Sequence, residues 1–436
     1  MAGIFDGLQA EIAEIEPVRA IGRVLETGRG TFIVTGLAGA ALGDRVLAEC
    51  GAGALGGEIV RLSPLGATVL PEDDPEGLVI GARVELLGPA TIAPDAGWLG
   101  RIVDPLGRPL DGRPLMRGPG GPPNGRARPP PRNAAPLGDR LSTGVAVFDT
   151  LLPLVRGQRI GLFAGSGVGK SSLLAKFARG VAADVVVIGL VGERGRELRD
   201  FTSRVLGPEG MARSVVVTAT SDQSPLMRRR CALSAMAVAE HFRDQGLHVL
   251  LLVDSITRYA EAHREVSLAS GEQASLRGYP PSTAHAIMAL AERAGPGLAA
   301  TGDITAVFSV LVAGSDMEEP VADIIRGTLD GHVVLDRKIA ERGRYPAIDL
   351  LRSVSRSLPE AATAAENALI TDVRRTLGAY DRAEMMVQAG LYVPGTDHAV
   401  DRAIRLWPTL DAFLAEDAPA GGPTASFARL QACLQG

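Results

Sequence analysis

Apolar residues along the first hundred positions recur in short runs cut by glycine and proline. Such runs at 31–35, 45–49, 58–62, 67–70 and 83–87, within the stretch 21–87, have strand length and predict a small closed β-barrel. After Gly144 the rhythm changes. Strand-length apolar runs at 159–163, 185–191, 214–217, 249–253 and 304–312 alternate with helical spacing, seen in Leu173, Leu174 and Phe177 and again across 226–245. That alternation predicts a mainly parallel sheet covered by helices on both faces. Beyond Leu358 only helical spacing remains, first Leu369, Val373 and Leu377, then Met385, Val387 and Leu391. A loop at 418–423 leads to a last amphipathic piece with Phe427, Leu430 and Leu434. The predicted fold class is α/β: an N-terminal β-barrel, a central domain on a mainly parallel sheet, and a C-terminal helical domain. No repeat of solenoid period is present.

Two stretches fall outside this pattern. Phe5, Leu8, Ile12 and Ile15 recur at helical spacing among Glu11, Glu14 and Glu16, which predicts an amphipathic N-terminal segment and neither the basic region nor the long apolar core of a secretory signal. Between Arg117 and Pro136 the chain is dense in proline, glycine and arginine and cannot bury a core, so it reads as a surface connector. A solvated linker is preferred for its Arg126, Arg128 and Arg132 over contact with phosphates or acidic lipid. The expected division is an N-terminal segment at 1–18, the barrel at 19–90, the sheet domain at 91–360 with its connector at 117–136, and the helical domain at 361–436.

Composition narrows the function classes. With 436 residues, 22% charged and 46% hydrophobic, the chain has a globular profile and room for two or three domains. Its net charge of −5 supplies no global field for nucleic acid. No apolar run approaches the roughly 18 residues of a membrane span. Cys50, Cys231 and Cys433 are scattered without metal spacing, and are expected to be free thiols in a reducing cytoplasm.

The densest chemical signal is residues 164–172, AGSGVGKSS, between a predicted strand and an amphipathic helix. Glycines at Gly165, Gly167 and Gly169 let the backbone N–H groups of the loop, including those of Ser166 and Val168, converge on phosphates at a helix N-terminus. Lys170 brings a point charge to the β/γ-phosphates, Ser171 offers a hydroxyl to Mg²⁺, and Ser172 continues the loop into the helix. A nucleoside triphosphate, ATP with Mg²⁺, is the expected ligand. The strict pattern opens on glycine, and here Ala164 stands in that place, which is tolerable if its φ is ordinary.

Two acids follow at strand ends. Asp254 closes the apolar run 249–253, where ligands collect in parallel sheets. An aspartate there is often a turn or helix cap, but the upstream loop and the following Ser255-Ile256-Thr257-Arg258 favour a role on the metal side of the phosphates. Glu193, in the run GERGRE, stands where a carboxylate could orient and polarise water attacking a γ-phosphate. An exposed, charge-rich helix start explains the same run, and spacing alone does not choose.

Together the blocks LFAGSGVGKSS, VGERGRE, LLLVDSITRYAEAHREV, RGYPPS, LDGHVVLDRKIAERGRYPAIDLLRSVSR and WLGRIVDPLGRPLDG resemble the catalytic subunit of rotary F-type ATPases. They are more similar still to the ATPases of type III protein export, and most of all to the flagellar branch, with injectisome ATPases as its sibling. The resemblance covers nearly the whole chain. It implies a RecA-like P-loop domain at 91–360 in a homo-hexameric ring that hydrolyses ATP to unfold or hand over export substrates. By position, Lys170 and Ser171 match the P-loop lysine and Mg²⁺ hydroxyl, Glu193 the catalytic carboxylate, and Asp254 the Walker B acid, bound to Mg²⁺ through water. Arg194 and Arg258 match arginines of the phosphate site, and Tyr345 the aromatic that packs on adenine. Arg356 matches an arginine finger acting across the subunit boundary, worth roughly 10³ to 10⁵ in rate. Implied partners are a stator-like negative regulator meeting the N-terminal segment, a stalk protein, export-gate membrane proteins and substrate–chaperone complexes. The implied place is the cytoplasm, with peripheral contact to the inner face of the cell membrane and no nucleic acid.

Other functions fit less well. A RecA-like RNA translocase would call for a basic groove with exposed aromatics, yet residues 21–87 hold one aromatic, Phe32. A non-catalytic nucleotide-binding subunit is expected to lack the water-orienting acid, and Glu193 is present. A rotary synthase subunit is the remaining alternative.

Overall fold

Six short strands with alternating inward residues roll up on themselves: β1 (Ile21–Thr27), β2 (Phe32–Thr35), β3 (Asp44–Cys50), β4 (Gly53–Ser63), β5 (Gly66–Pro71) and β6 (Arg83–Pro89). They pair antiparallel in the order β1-β2-β5-β4-β3-β6 and close, which leaves no free edge. Val24, Phe32, Val34, Val46, Ile59, Val69 and Val84 point inward and are buried. In this computed structural model the described residues are 18–28, 30–51, 53–118, 136–275, 278–298, 301–312, 317 and 319–435. The amphipathic segment around Phe5 to Ile15 and Arg126, Arg128 and Arg132 of the connector lie outside them.

The second sheet carries the chemistry. It contains β7 (Arg101–Val103), β8 (Arg159–Ala164), β9 (Val185–Glu193), β10 (Ser214–Thr220), β11 (Val249–Asp254), β12 (Ile304–Leu311), β13 (Gly331–Leu335) and β14 (Ile348–Ser355), in the order β14-β13-β8-β12-β11-β9-β10-β7. Every pair is parallel except β13 with β14. The central strands are apolar on both faces because helices cover both, so all of β11 is buried. Three helices matter to the site: α1 (Lys170–Gly180), α2 (Pro225–Asp244) and α3 (Ile256–Ser270). Leu173, Leu174 and Phe177 of α1 all face the core, where the Phe177 ring meets Phe148 edge-on at 4.8 Å.

Three helices complete the chain: α4 (Ala364–Gln388), α5 (His398–Phe413) and α6 (Gly422–Gln435). Thr363 and Glu366 form a reciprocal cap that starts α4. Val373, Leu377, Leu406, Leu410 and Leu430 bury its inner faces. Past Leu377 the buried face of α4 continues on the small Ala379 and Ala383, while Met385 is 83% exposed and Leu391, beyond the end of α4, is 75% exposed. This domain is tied to the start of the sheet domain. Lys176 of α1 pairs with Asp417, Ala146 N–H donates to the Glu416 carbonyl at 3.1 Å, and Ala418 N–H donates to the Gly144 carbonyl at 3.0 Å.

Barrel and sheet domain meet through buried charge. Arg230 of α2, with a side chain only 4% exposed, reaches Glu58 of β4 and, at 3.4 Å, Glu72 beside β5. Arg229 also binds Glu58, at 2.6 Å, and Arg45 binds Glu72 at 3.3 Å. Cys231 and Cys433 are buried and Cys50 half-buried, all as free thiols. Among the described residues no helix is long and apolar enough to cross a membrane.

Candidate active site

Strands β8, β9 and β11 all end at one edge of the sheet, and the loop after β8 turns there into α1. Gly167 and Gly169 have φ of 77° and 86°, a region that suits glycine. Gly165 is different: its φ is ordinary, and an added Cβ would meet only the Val312 carbonyl, at 3.8 Å. Ala164 is the last residue of β8, fully buried, and accepts a hydrogen bond from Val312 N–H at 3.1 Å. A methyl group therefore fits where the strict loop pattern has glycine. Val168 is buried and anchors the loop, while Ser166, Ser171 and Ser172 line the cleft above it.

Lys170 opens α1, and its ammonium pairs with the Asp254 carboxylate at the end of β11. Asp254 is 4% exposed and also accepts from Ser309 Oγ at 2.6 Å. Burial is affordable for this acid because a cation and a hydroxyl both meet it. The cleft above has a volume of about 680 Å³, enough for a nucleotide. Glu193 ends β9 in its wall, after Gly192 with φ of 70°. Burial, then a hydrogen bond with Glu197, then the nearby Asp254 charge push the Glu193 carboxyl up to about 7. Behind it lies a smaller cavity of about 220 Å³, where Ser171, Glu193 and Asp254 meet Leu190, Leu198 and Phe201.

No three metal-binding side chains cluster among the described residues. The Ser171 hydroxyl and the Asp254 carboxylate nevertheless share that smaller cavity. So sparse a set of hard oxygen donors fits Mg²⁺, which keeps waters and takes phosphate oxygens rather than a full protein cage.

The remaining sequence candidates divide. Arg258 lines the cleft and pairs with Glu261 at 2.9 Å. Arg194 sits at the mouth, 80% exposed, and touches Glu197 at 3.5 Å without lining the cleft. Tyr345 lies over the loop, with its Cδ1 only 2.9 Å from where a Gly169 Cβ would be, and half its surface open. Arg356 is far from all of these. It follows β14, whose last residue, Ser355, pairs with Gly331 at the start of β13, the sheet end opposite the loop and roughly 15 Å away along the strands. There Arg356 is exposed, and its guanidinium donates to the Arg326 carbonyl at 3.2 Å. Sequence reading missed Ser309 and Glu197. A serine inside the apolar run VFSVL, and a second glutamate four residues after Glu193, were the signals available.

Known proteins match this chain over nearly all of its length. Residues 144–355 match the ATP synthase alpha/beta family, nucleotide-binding domain, and residues 362–430 match the T3SS EscN ATPase C-terminal domain. The flagellum-specific ATP synthase of Caulobacter vibrioides is 43% identical over 94% of both chains. The type 3 secretion system ATPase of Xanthomonas euvesicatoria is 40% identical, over 94% of this chain and 92% of its own. Among solved structures, the assembled ATPase EscN of enteropathogenic E. coli superposes with a TM-score of 0.88 at 33% identity, covering 95% of this chain and 100% of that one. A second structure, EscN assembled in complex with its central stalk EscO, gives 0.86 at the same identity and coverage.

Proposed function

Because this chain belongs to the family of flagellum-specific ATP synthases and type III secretion ATPases, we propose that it hydrolyses Mg²⁺-bound ATP in a ring of six identical subunits and energises flagellar protein export. It is an ATPase of type III export, built on a nucleotide-binding domain of the ATP synthase alpha/beta family. The observation that carries the catalytic reading is the convergence of Lys170, Asp254 and Glu193 on one cleft over a phosphate-binding loop. The flagellar branch is favoured over the injectisome branch by 43% against 40% and 33% identity.

Each residue then has a task. The loop from Gly165 to Gly169 holds the phosphates through backbone N–H groups. Lys170 would leave Asp254 for the β/γ-phosphates when nucleotide enters, and Ser171 and Asp254 would hold Mg²⁺, which would supply neutralising charge to the transferred group. Glu193 orients the attacking water. Arg258, in the cleft wall, is assigned to the phosphates, Arg194 is assigned to them from its exposed place beside Glu193, and Tyr345 is assigned to the adenine. Arg356 serves the neighbouring subunit, a reading its distance from its own loop supports. Domain limits at residues 18, 90 and 360 belong to the same proposal; barrel strands end at Pro89 and α4 begins at Ala364.

EscN has been solved with a central stalk, which supports a stalk partner here. The proposal extends to a stator-like negative regulator, export-gate membrane proteins and substrate–chaperone complexes, at the cytoplasmic face of the cell membrane. The test is Glu193→Gln. Nucleotide binding is expected to persist while turnover is abolished; a variant that hydrolyses ATP at the normal rate would remove Glu193 from the mechanism.

A further inference from the structure

A second built crevice lies away from the phosphates. It has a volume of about 310 Å³ and is bounded by the segment 336–351 of the sheet domain and by α4 and α5 of the helical domain. Tyr380 of α4 and Trp407 of α5 stack in its wall, with centroids 4.7 Å apart and planes 18° from parallel. The Arg344 side chain is only 9% exposed. Its Nε pairs with Asp411 at 3.1 Å and its Nη2 donates to the Ile348 carbonyl at 2.8 Å, but its Nη1 is buried with no hydrogen-bond partner. Buried donors are rarely left in that state.

The charge around this orphan donor is unbalanced. Five carboxylates line the crevice against three cations. Glu384 is held by Arg342 at 2.8 Å, Asp411 by Arg344, and Asp336 by Arg352 at 3.7 Å. Among the described residues Asp349 and Asp381 are in no salt bridge, and Asp349 accepts from the backbone N–H groups of Leu351 and Arg352, both on one oxygen. Among the described residues Lys338 is the one lining cation outside a salt bridge, and with five carboxylates against three cations the lining is acidic overall. Aromatic rings beside surplus carboxylate recognise cations. The orphan guanidinium N–H asks for a carbonyl. An arginine residue within a polypeptide offers both, a planar cation and its own backbone C=O, separated by a side chain.

We propose that this crevice between the sheet domain and α4–α5 is a docking site for an arginine residue of a partner polypeptide. Its guanidinium enters between Asp349 and Asp381 against the Tyr380–Trp407 pair, and Arg344 turns its Nη1, closed off in this structure, to donate to the incoming carbonyl. Arg344 directly precedes Tyr345, whose ring covers the phosphate loop, so occupancy on one side of this short segment reaches the nucleotide on the other.

Trp407 makes the site readable, since the only other tryptophan, Trp98, is buried elsewhere and donates to the Met116 carbonyl at 3.0 Å. The full chain is titrated with N-acetyl-arginine amide, with its neutral citrulline counterpart, with agmatine, which lacks the carbonyl, and with N-acetyl-aspartate amide. Expected is a saturable change in Trp407 emission with the arginine probe alone, lost in Trp407→Phe. Binding should weaken at least tenfold in Asp349→Asn and in Asp381→Asn, with basal ATPase activity unchanged. Asp381 is exposed, so its variant decides the matter if Asp349→Asn fails to fold. Equal binding of the citrulline or agmatine probe, preference for the aspartate probe, or no saturation with any of them overturns the proposal.

Discussion

If Glu193 must be ionised to orient water, the acid limb of the pH profile reports its surroundings. With the carboxyl held at about 7, roughly one enzyme in eleven is ionised at pH 6 and roughly ten in eleven at pH 8. The ratio kcat/KM, which reads the free enzyme, should therefore rise about tenfold between those pH values. A glutamate at its ordinary 4.5 would give a change of only about 3% over the same range. Burial is the first cause of the shift and the Glu197 hydrogen bond the second, so Glu197→Gln should move the limb to lower pH without removing it. The same shift disfavours folding as pH rises from 4.5 towards 7, because the unfolded chain releases this proton first. Steady-state hydrolysis in a coupled assay from pH 5.5 to 8.5, with Mg²⁺ saturating, measures the limb. A flat kcat/KM from 6 to 8, or an identical limb in Glu197→Gln, would refute the reasoning.

Three further outcomes are expected. Arg356→Ala should lose roughly 10³ to 10⁵ in turnover, and mixing it with Lys170→Ala protein should restore part of the rate through hybrid interfaces; no recovery in the mixing assay would place Arg356 outside the site. Arg230→Ala takes a buried charge partner from Glu58, which keeps Arg229, and from Glu72, which keeps Arg45, and should cost about 1.5–3 kcal/mol in denaturant unfolding; a loss below about 0.5 kcal/mol would mean that the two remaining arginines satisfy both acids. Gly169→Ala combines a φ of 86° with a Cβ 2.9 Å from Tyr345, and should weaken ATP binding by about tenfold or more in calorimetry.

Strands with two buried faces were legible in the sequence because their apolar runs are unbroken, as in β9 and β11. Four strands have no counterpart among the predicted runs: β1, β7, β13 and β14. β7 has only three residues at one edge, and β14 forms the other edge, with a buried pattern broken by exposed Leu351, Arg352 and Val354. An edge strand has one neighbour and needs fewer apolar positions, so its period fades. The loop 164–172 was visible because its glycine spacing is local, and Asp254 because it closes an unbroken apolar run, whereas spacing left Glu193 undecided and only the resemblance of its block singled it out. Ser309 and Glu197 gain meaning only through contacts made by folding, and the orphaned Arg344 donor, with no sequence signature at all, emerges from the approach of two domains.

Lys176 lies less than two turns beyond Lys170 on one rigid helix and grips Asp417, while the backbone at 416–418 is stitched to 144–146. Force applied to the C-terminal helices consequently arrives at the phosphate clamp over bonds a few ångströms long. Strain in those helices and the hold on a nucleotide would then share one stiff lever, tied more firmly by the backbone at 416–418 than by the exposed Lys176–Asp417 pair.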